Sequence, residues 1–177
     1  MLLLAAAATG CSADPAPSAE AATGGPAASE AAPARLTACD LLTSADVTGI
    51  IGDAVLAPES NGFECAFRRP AEGEGGVVTR AVRLRLEQGA VSPYELYEQY
   101  TSAIRAALGG EYEPVSVGGV GSVAAWDGDA LLAAEGAGSG QSFMLVVQLD
   151  GVSPADEQRY AEAIAQAALA RLRTLSP

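Results

Sequence analysis

Histidine and lysine are both missing from this chain of 177 residues. Without an imidazole, the general base on which most serine and cysteine nucleophiles rely is gone. Without lysine, Ser–Lys dyads and Schiff-base chemistry are excluded, and zinc sites with imidazole ligands fall for want of histidine. Positive charge is scarce: ten basic residues, all arginine, face 22 acidic ones, for a net charge of -12. That balance argues against nucleic acid or anionic lipid headgroups as partners, because both need cationic patches. No run approaches the length of about 20 apolar residues that a membrane-spanning helix needs. Aromatic residues are only 5% of the chain, so a cluster of them carries information.

Carboxylate chemistry survives these exclusions, either as a two-acid glycoside hydrolase or as an oxygen-ligand calcium site. The acids, however, fall at helix caps (Asp46, Asp156), turns (Asp127, Asp129, Asp150) and exposed helix faces (Glu98, Glu162). Solvated carboxylates belong in such places without any further role. The expectation is therefore no catalytic residue, no metal and no cofactor, with a carboxylate hydrolase as a distant alternative.

The three cysteines divide into one and two. Cys11 follows the run Leu2-Leu3-Leu4-Ala5-Ala6-Ala7-Ala8-Thr9-Gly10, an apolar stretch closing on small residues. This is the pattern cut by lipoprotein signal peptidase after a diacylglyceryl group has been placed on the thiol. Residues 1–10 are read as the signal peptide. No basic residue precedes Leu2 and Ala8 stands where leucine is usual, so the translation start is expected to lie upstream. The lipid on Cys11 would hold the chain at the extracytoplasmic face of the cell membrane. Residues 11–35 are almost wholly Ala, Pro, Ser, Gly, Thr and Glu, too poor in large apolar groups to offset their ordering entropy. They read as a tether whose reach, at about 3.1 Å per residue, is at most roughly 75 Å.

Residues 36–177 are the right size for one core. Cys39 and Cys65, an even pair in an exported domain, are expected to form a disulfide. Thr43-Ser44-Ala45-Asp46 is a capping box opening a short helix that buries Leu42, Val47, Ile50 and Ile51 and stops at Gly52. Phe63, Cys65 and Phe67 alternate as in a half-buried strand, and Val78 to Glu87 alternates more clearly. Ser92-Pro93-Tyr94-Glu95 opens a helix with an apolar stripe over Leu96, Tyr100, Ile104, Ala107 and Leu108. Strands are expected over Glu113–Val117, Ala130–Glu135 and Ser142–Leu149, with Ser122–Trp126 as a further candidate. Ser153-Pro154-Ala155-Asp156 opens a last helix burying Tyr160, Ile164, Ala168 and Leu172. The fold class is α+β: an antiparallel sheet of five or six strands packed with two or three helices.

Four further patterns need weighing. Gly119-Val120-Gly121-Ser122-Val123-Ala124 matches a dinucleotide fingerprint, but no helix follows and no βαβ unit surrounds it, so a tight turn is the better reading. Asp127-Gly128-Asp129 lacks the ligand ladder of a calcium loop and also reads as a turn. Arg68, Arg69, Arg83 and Arg85 form either a cationic patch or, as favoured, a solvated sheet face with cross-strand ion pairs. Tyr94, Tyr97, Tyr100 and Tyr112 cluster in sequence. Tyr94, Tyr97 and Tyr100 with Trp126 are the candidate ligand or partner groove, set against plain packing on the sheet.

The lipidatable cysteine, the Ala/Pro tether, "ACDLLTSADV", "FECAFRR" and "VGGVGSVAAW" together resemble the actinobacterial lipoproteins catalogued as domain of unknown function 3558. The likeness covers nearly the whole chain. It implies an exported, disulfide-bridged α+β domain, similar to the sheet-and-helix sandwich of Mog1 and PsbP proteins, and brings no catalytic residues. The functional expectation is a non-enzymatic envelope binding module for a protein or small ligand. The alternative is a carrier of a lipid or another apolar molecule.

Overall fold

Helix starts in this chain are set by reciprocal side-chain and backbone bonds that replace the missing first turn. The computed structural model describes residues 36–71, 79–109, 112–138 and 140–176. Cys11, the expected signal segment and the expected tether lie outside them, as does most of the loop after Pro70. A 3-10 turn (Ala38–Asp40) precedes three helices: α1 (Ser44–Ile51), α2 (Pro93–Leu108) and α3 (Pro154–Leu175). At α1, the Thr43 N–H donates to Asp46 Oδ2 at 2.8 Å, and the Asp46 N–H donates to Thr43 Oγ1 at 3.3 Å. Ser92 and Glu95 repeat the exchange at α2, at 2.9 and 3.2 Å. Of the three expected capping patterns, at Thr43, Ser92 and Ser153, the first two close as boxes, and each satisfies helical donors that would otherwise lack partners. At α3 the Ser153 hydroxyl donates to Asp156 instead, with Pro154 in the first turn.

Among the described residues the sheet holds seven strands, all antiparallel: β1 (Glu59–Ser60), β2 (Glu64–Arg69), β3 (Thr79–Gly89), β4 (Val115–Ser116), β5 (Val123–Trp126), β6 (Ala130–Gly136) and β7 (Ser142–Leu149). Their spatial order is β1-β2-β3-β7-β6-β5-β4. The class is the expected one, α+β on an antiparallel sheet. The count exceeds the expected five or six because β1 spans two residues, too few for alternation to reveal. A second difference concerns Phe63. It stands at the β1–β2 turn, 77% exposed, and the strand begins only at Glu64.

Two meanders, β1–β3 and β4–β7, join where β3 pairs with β7 from Val82↔Leu149 to Gly89↔Ser142. Helix α2 is the crossover between them. It packs against β5, β6 and β7 on one face, whereas α3 covers β6 and β7 on the other. Helix α1 lies against α3, and the 3-10 turn lies on β2 and β3. Helices thus flank the sheet in three layers. Strands β6 and β7 are covered on both faces and read as nearly unbroken apolar runs, Ala-Leu-Leu-Ala-Ala and Phe-Met-Leu-Val-Val. Strand β3 is covered on one face only, and there Leu84 and Val82 are buried while Arg83 and Arg85 reach solvent on the other.

The larger core lies on the α1–α3 side and includes Phe67, Leu84, Leu131, Leu145, Ile164 and Leu169. The smaller lies under α2 and includes Leu96, Tyr97, Tyr112, Leu132, Met144 and Val146. In α3, Ile164, Ala168 and Leu172 are buried as expected, with Tyr160 partly so. Cys39 and Cys65 form the expected disulfide, with Cα atoms 5.1 Å apart, clamping the 3-10 turn to β2. The expected turn over Gly119–Ala124 is also present and leads into β5. At Gly121 φ is +62°, and a Cβ there would come within 2.7 Å of the Ala134 carbonyl oxygen and 3.2 Å of Leu169 Cδ1. Only glycine fits a backbone lying this close to β6 and α3.

Candidate functional site

Helix α2 presents two flanks, and the tyrosines divide between them. Each three-residue step on a helix falls about 60° short of a full turn, so Tyr100 lies about 120° around from Tyr94. Tyr94, Tyr97, Glu98, Thr101 and Arg105 share one flank and form one wall of a cleft. The facing wall comes from Tyr112, Glu113, Pro114 and Ser116 around β4 and from Val123 of β5. The cleft encloses about 550 Å³. Tyr100 looks the other way. With Leu96, Ala103, Ile104 and Ala107 it borders an apolar groove of about 490 Å³ beside Glu87 of β3.

Trp126 is in neither place. Alternation along β5 sends Val123 and Ala125 to the α2 core, and Ala124 and Trp126 to the core under α3. The structure therefore does not bring Tyr94, Tyr97, Tyr100 and Trp126 into one groove. It joins Tyr94 and Tyr97 with Tyr112 and separates the other two. Three neighbours that the sequence reading did not assign to a site, Glu98, Arg105 and Glu113, line the same cleft. Glu98 and Arg105 stand four and eleven residues after Tyr94, a helical spacing that could have disclosed them. The position of Glu113 depends on how β4 returns under the helix, and no local pattern carries that.

The rings are held in place from behind. Tyr112 is buried, and its hydroxyl donates to Asp127 Oδ2 at 3.0 Å. Asp127 Oδ1 accepts the N–H groups of Asp129 and Ala130 at 2.9 and 2.7 Å, which closes the β5–β6 hairpin. The Asp127-Gly128-Asp129 turn thus spends its first carboxylate on the fold. Burial, then the Asp127 charge and its hydrogen bond, push the Tyr112 phenol well above its ordinary range. Burial first and the Glu98 charge second raise Tyr97, and burial raises Tyr100. All three phenols stay protonated, neutral donors at ordinary pH. Thr101, buried beneath the helix, donates its hydroxyl to the Tyr97 carbonyl at 2.9 Å.

The four arginines Arg68, Arg69, Arg83 and Arg85 each meet a carboxylate. Arg68 meets Glu59 at 2.8 Å, Arg83 meets Asp150 at 3.2 Å and Arg85 meets Glu87 at 3.4 Å. Arg69 reaches Asp53 at 3.2 Å and the Asp150 carbonyl at 2.8 Å. The ion-paired reading holds in part: Arg68–Glu59 links two strands, whereas Arg85–Glu87 lies within β3 and Arg69 turns to the loop after α1. Each exposed pair contributes at most about 1 kcal/mol. Among the described residues no group of three His, Cys, Asp or Glu is placed to hold a metal ion. No described helix is long and apolar enough to cross a membrane. No family model, no curated protein and no solved structure matches the chain.

Proposed function

We propose that this protein is a non-enzymatic binding module, tethered by a lipid on Cys11 to the extracytoplasmic face of the cell membrane. The observation that carries the binding role is the cleft between α2 and β4–β5, where three tyrosines meet charged groups on both walls. Rigid aromatic side chains with few rotatable bonds are good anchors for a small ligand or a protein segment. The disulfide supports an oxidising address. The residue types available support binding over turnover, since histidine and lysine are absent. The resemblance to the actinobacterial lipoproteins of unknown function agrees with this address and this size of domain.

A carrier of apolar molecules is the second reading, favoured by one observation: the groove on the far flank of α2, lined by Leu96, Tyr100, Ala103, Ile104 and Ala107. Native mass spectrometry of the protein released from its own envelope separates the two. A polar ligand or a captured protein that is lost on Tyr94→Ala supports the binding module. An apolar ligand that survives Tyr94→Ala and is lost on Ile104→Asp transfers the assignment to the carrier. The anchor is tested by Cys11→Ala: the substituted protein should leave the membrane fraction, and continued membrane retention would remove the lipid from the account.

A further inference from the structure

We propose that the cleft between α2 and β4–β5 takes an organic cation, an ammonium or guanidinium group carried either by a small amine or by a basic side chain. The inference rests on the binding-module reading and adds the chemical class of the ligand. Three phenol rings, those of Tyr94, Tyr97 and Tyr112, line the space. An aromatic ring attracts a cation to its face through its quadrupole, and most strongly where water is partly excluded. Carboxylates stand on both walls, Glu98 on α2 and Glu113 next to β4. A third, Asp127, lies behind Tyr112 at hydrogen-bond distance. The field of the chain points the same way: a net charge of -12 draws cations towards the surface and repels anions.

The one cation in the lining, Arg105, belongs to the last turn of α2. It lies seven residues beyond Glu98, about 10 Å along the helix axis. Its charge is felt at Tyr97, so an incoming positive group sits at the Tyr94 and Glu98 end, the part of the cleft farthest along α2 from Arg105. The volume of about 550 Å³ suits a ligand of small-metabolite size or one long side chain. A neutral sugar would use the same rings, so charge is the discriminating variable. The neutral phenols add hydroxyl donors and acceptors beside the charge and do not oppose it.

The test is an amide NMR titration of the full chain carrying Cys11→Ala, with choline, its neutral isostere 3,3-dimethylbutanol, maltose and tetralysine as probes. Choline or tetralysine should shift resonances around Tyr97 and Tyr112, and choline should bind at least five-fold more tightly than its isostere. The stronger of the two cationic probes identifies the source, a small amine or a basic segment of a partner. Tyr94→Ala and Glu98→Gln should each weaken choline about two- to five-fold. Both residues are exposed, and the spectrum itself reports whether each variant is folded. Equal affinity for choline and its isostere would overturn the inference. A preference for maltose would overturn it too, while leaving the binding module standing. Cleft resonances unmoved by every probe would remove both.

Discussion

Breaking the Cys39–Cys65 bridge should cost this fold about 3.5 kcal/mol, the chain-entropy value for a loop of this length. The bridged positions are 26 residues apart, and the loop they close contains the 3-10 turn, α1 and the β1–β2 turn. None of those segments is long enough to hold itself in place once the clamp is released. For a domain of this size each kcal/mol corresponds to roughly 3 °C, so melting should fall by about 10 °C. The perturbation is best made as three variants: Cys39→Ala, Cys65→Ala and the pair. Alanine is preferred to serine because Cys65 is fully buried and a hydroxyl there would lack a partner. Calorimetry with and without reductant provides the reading. If the bridge acts through the unfolded chain, all three variants should lose nearly the same amount, and reductant should shift only the parent. A loss confined to the two variants that carry Cys65→Ala would mean that packing, and not chain constraint, is what the cysteines supply. Coincident melts of parent and double variant would refute the reasoning altogether.

Two further outcomes follow from the geometry. Gly121→Ala combines a left-handed backbone with a contact against a carbonyl oxygen, and should destabilise by about 2–4 kcal/mol. Gly119→Ala has a similar φ of +79° with nothing within 4 Å, and should cost only about 1–2 kcal/mol. Equal losses in denaturant unfolding would show that the close approach to β6 does not matter. The second outcome is acid sensitivity. Asp46 is held below its ordinary pKa first by the Thr43 hydroxyl, Glu95 first by the Ser92 backbone N–H, and Asp156 first by the Ser153 hydroxyl. A carboxylate depressed in the folded state contributes stability that is complete above its unfolded pKa of about 4 and is lost as pH falls through the folded value. Unfolding free energy should therefore fall below about pH 4, and Asp46→Asn with Glu95→Gln should flatten that slope. An unchanged slope in the double variant would remove the caps as its source.

Local signals were the legible part of this chain. The Thr43 and Ser92 helix starts, the β3 alternation and the glycine turn before β5 each depend on residues near one another in sequence. The disulfide partners, 26 residues apart, were legible because two cysteines remain once Cys11 is set aside. What escaped depends on layering. Strand β1 left no trace because two residues cannot display a period. Strand β6 showed no alternation because helices cover both of its faces, so its apolar run gave no hint of which side faced which helix. The same gap misplaced Trp126. Its position depends on one register step along β5, and only the arrangement of α2 and α3 on opposite faces decides which helix it meets. Tyr112 and Tyr97, fifteen residues apart, face one another across the cleft because the chain reverses after α2.

The outermost strands, Glu59–Ser60 and Val115–Ser116, are two residues each, and Pro114 stands at the entrance to the second. A sheet grows by adding a neighbour along a row of unpaired amide and carbonyl groups, and here each such row stops almost as soon as it starts. A second copy of this domain would find little backbone with which to stitch one sheet onto the next.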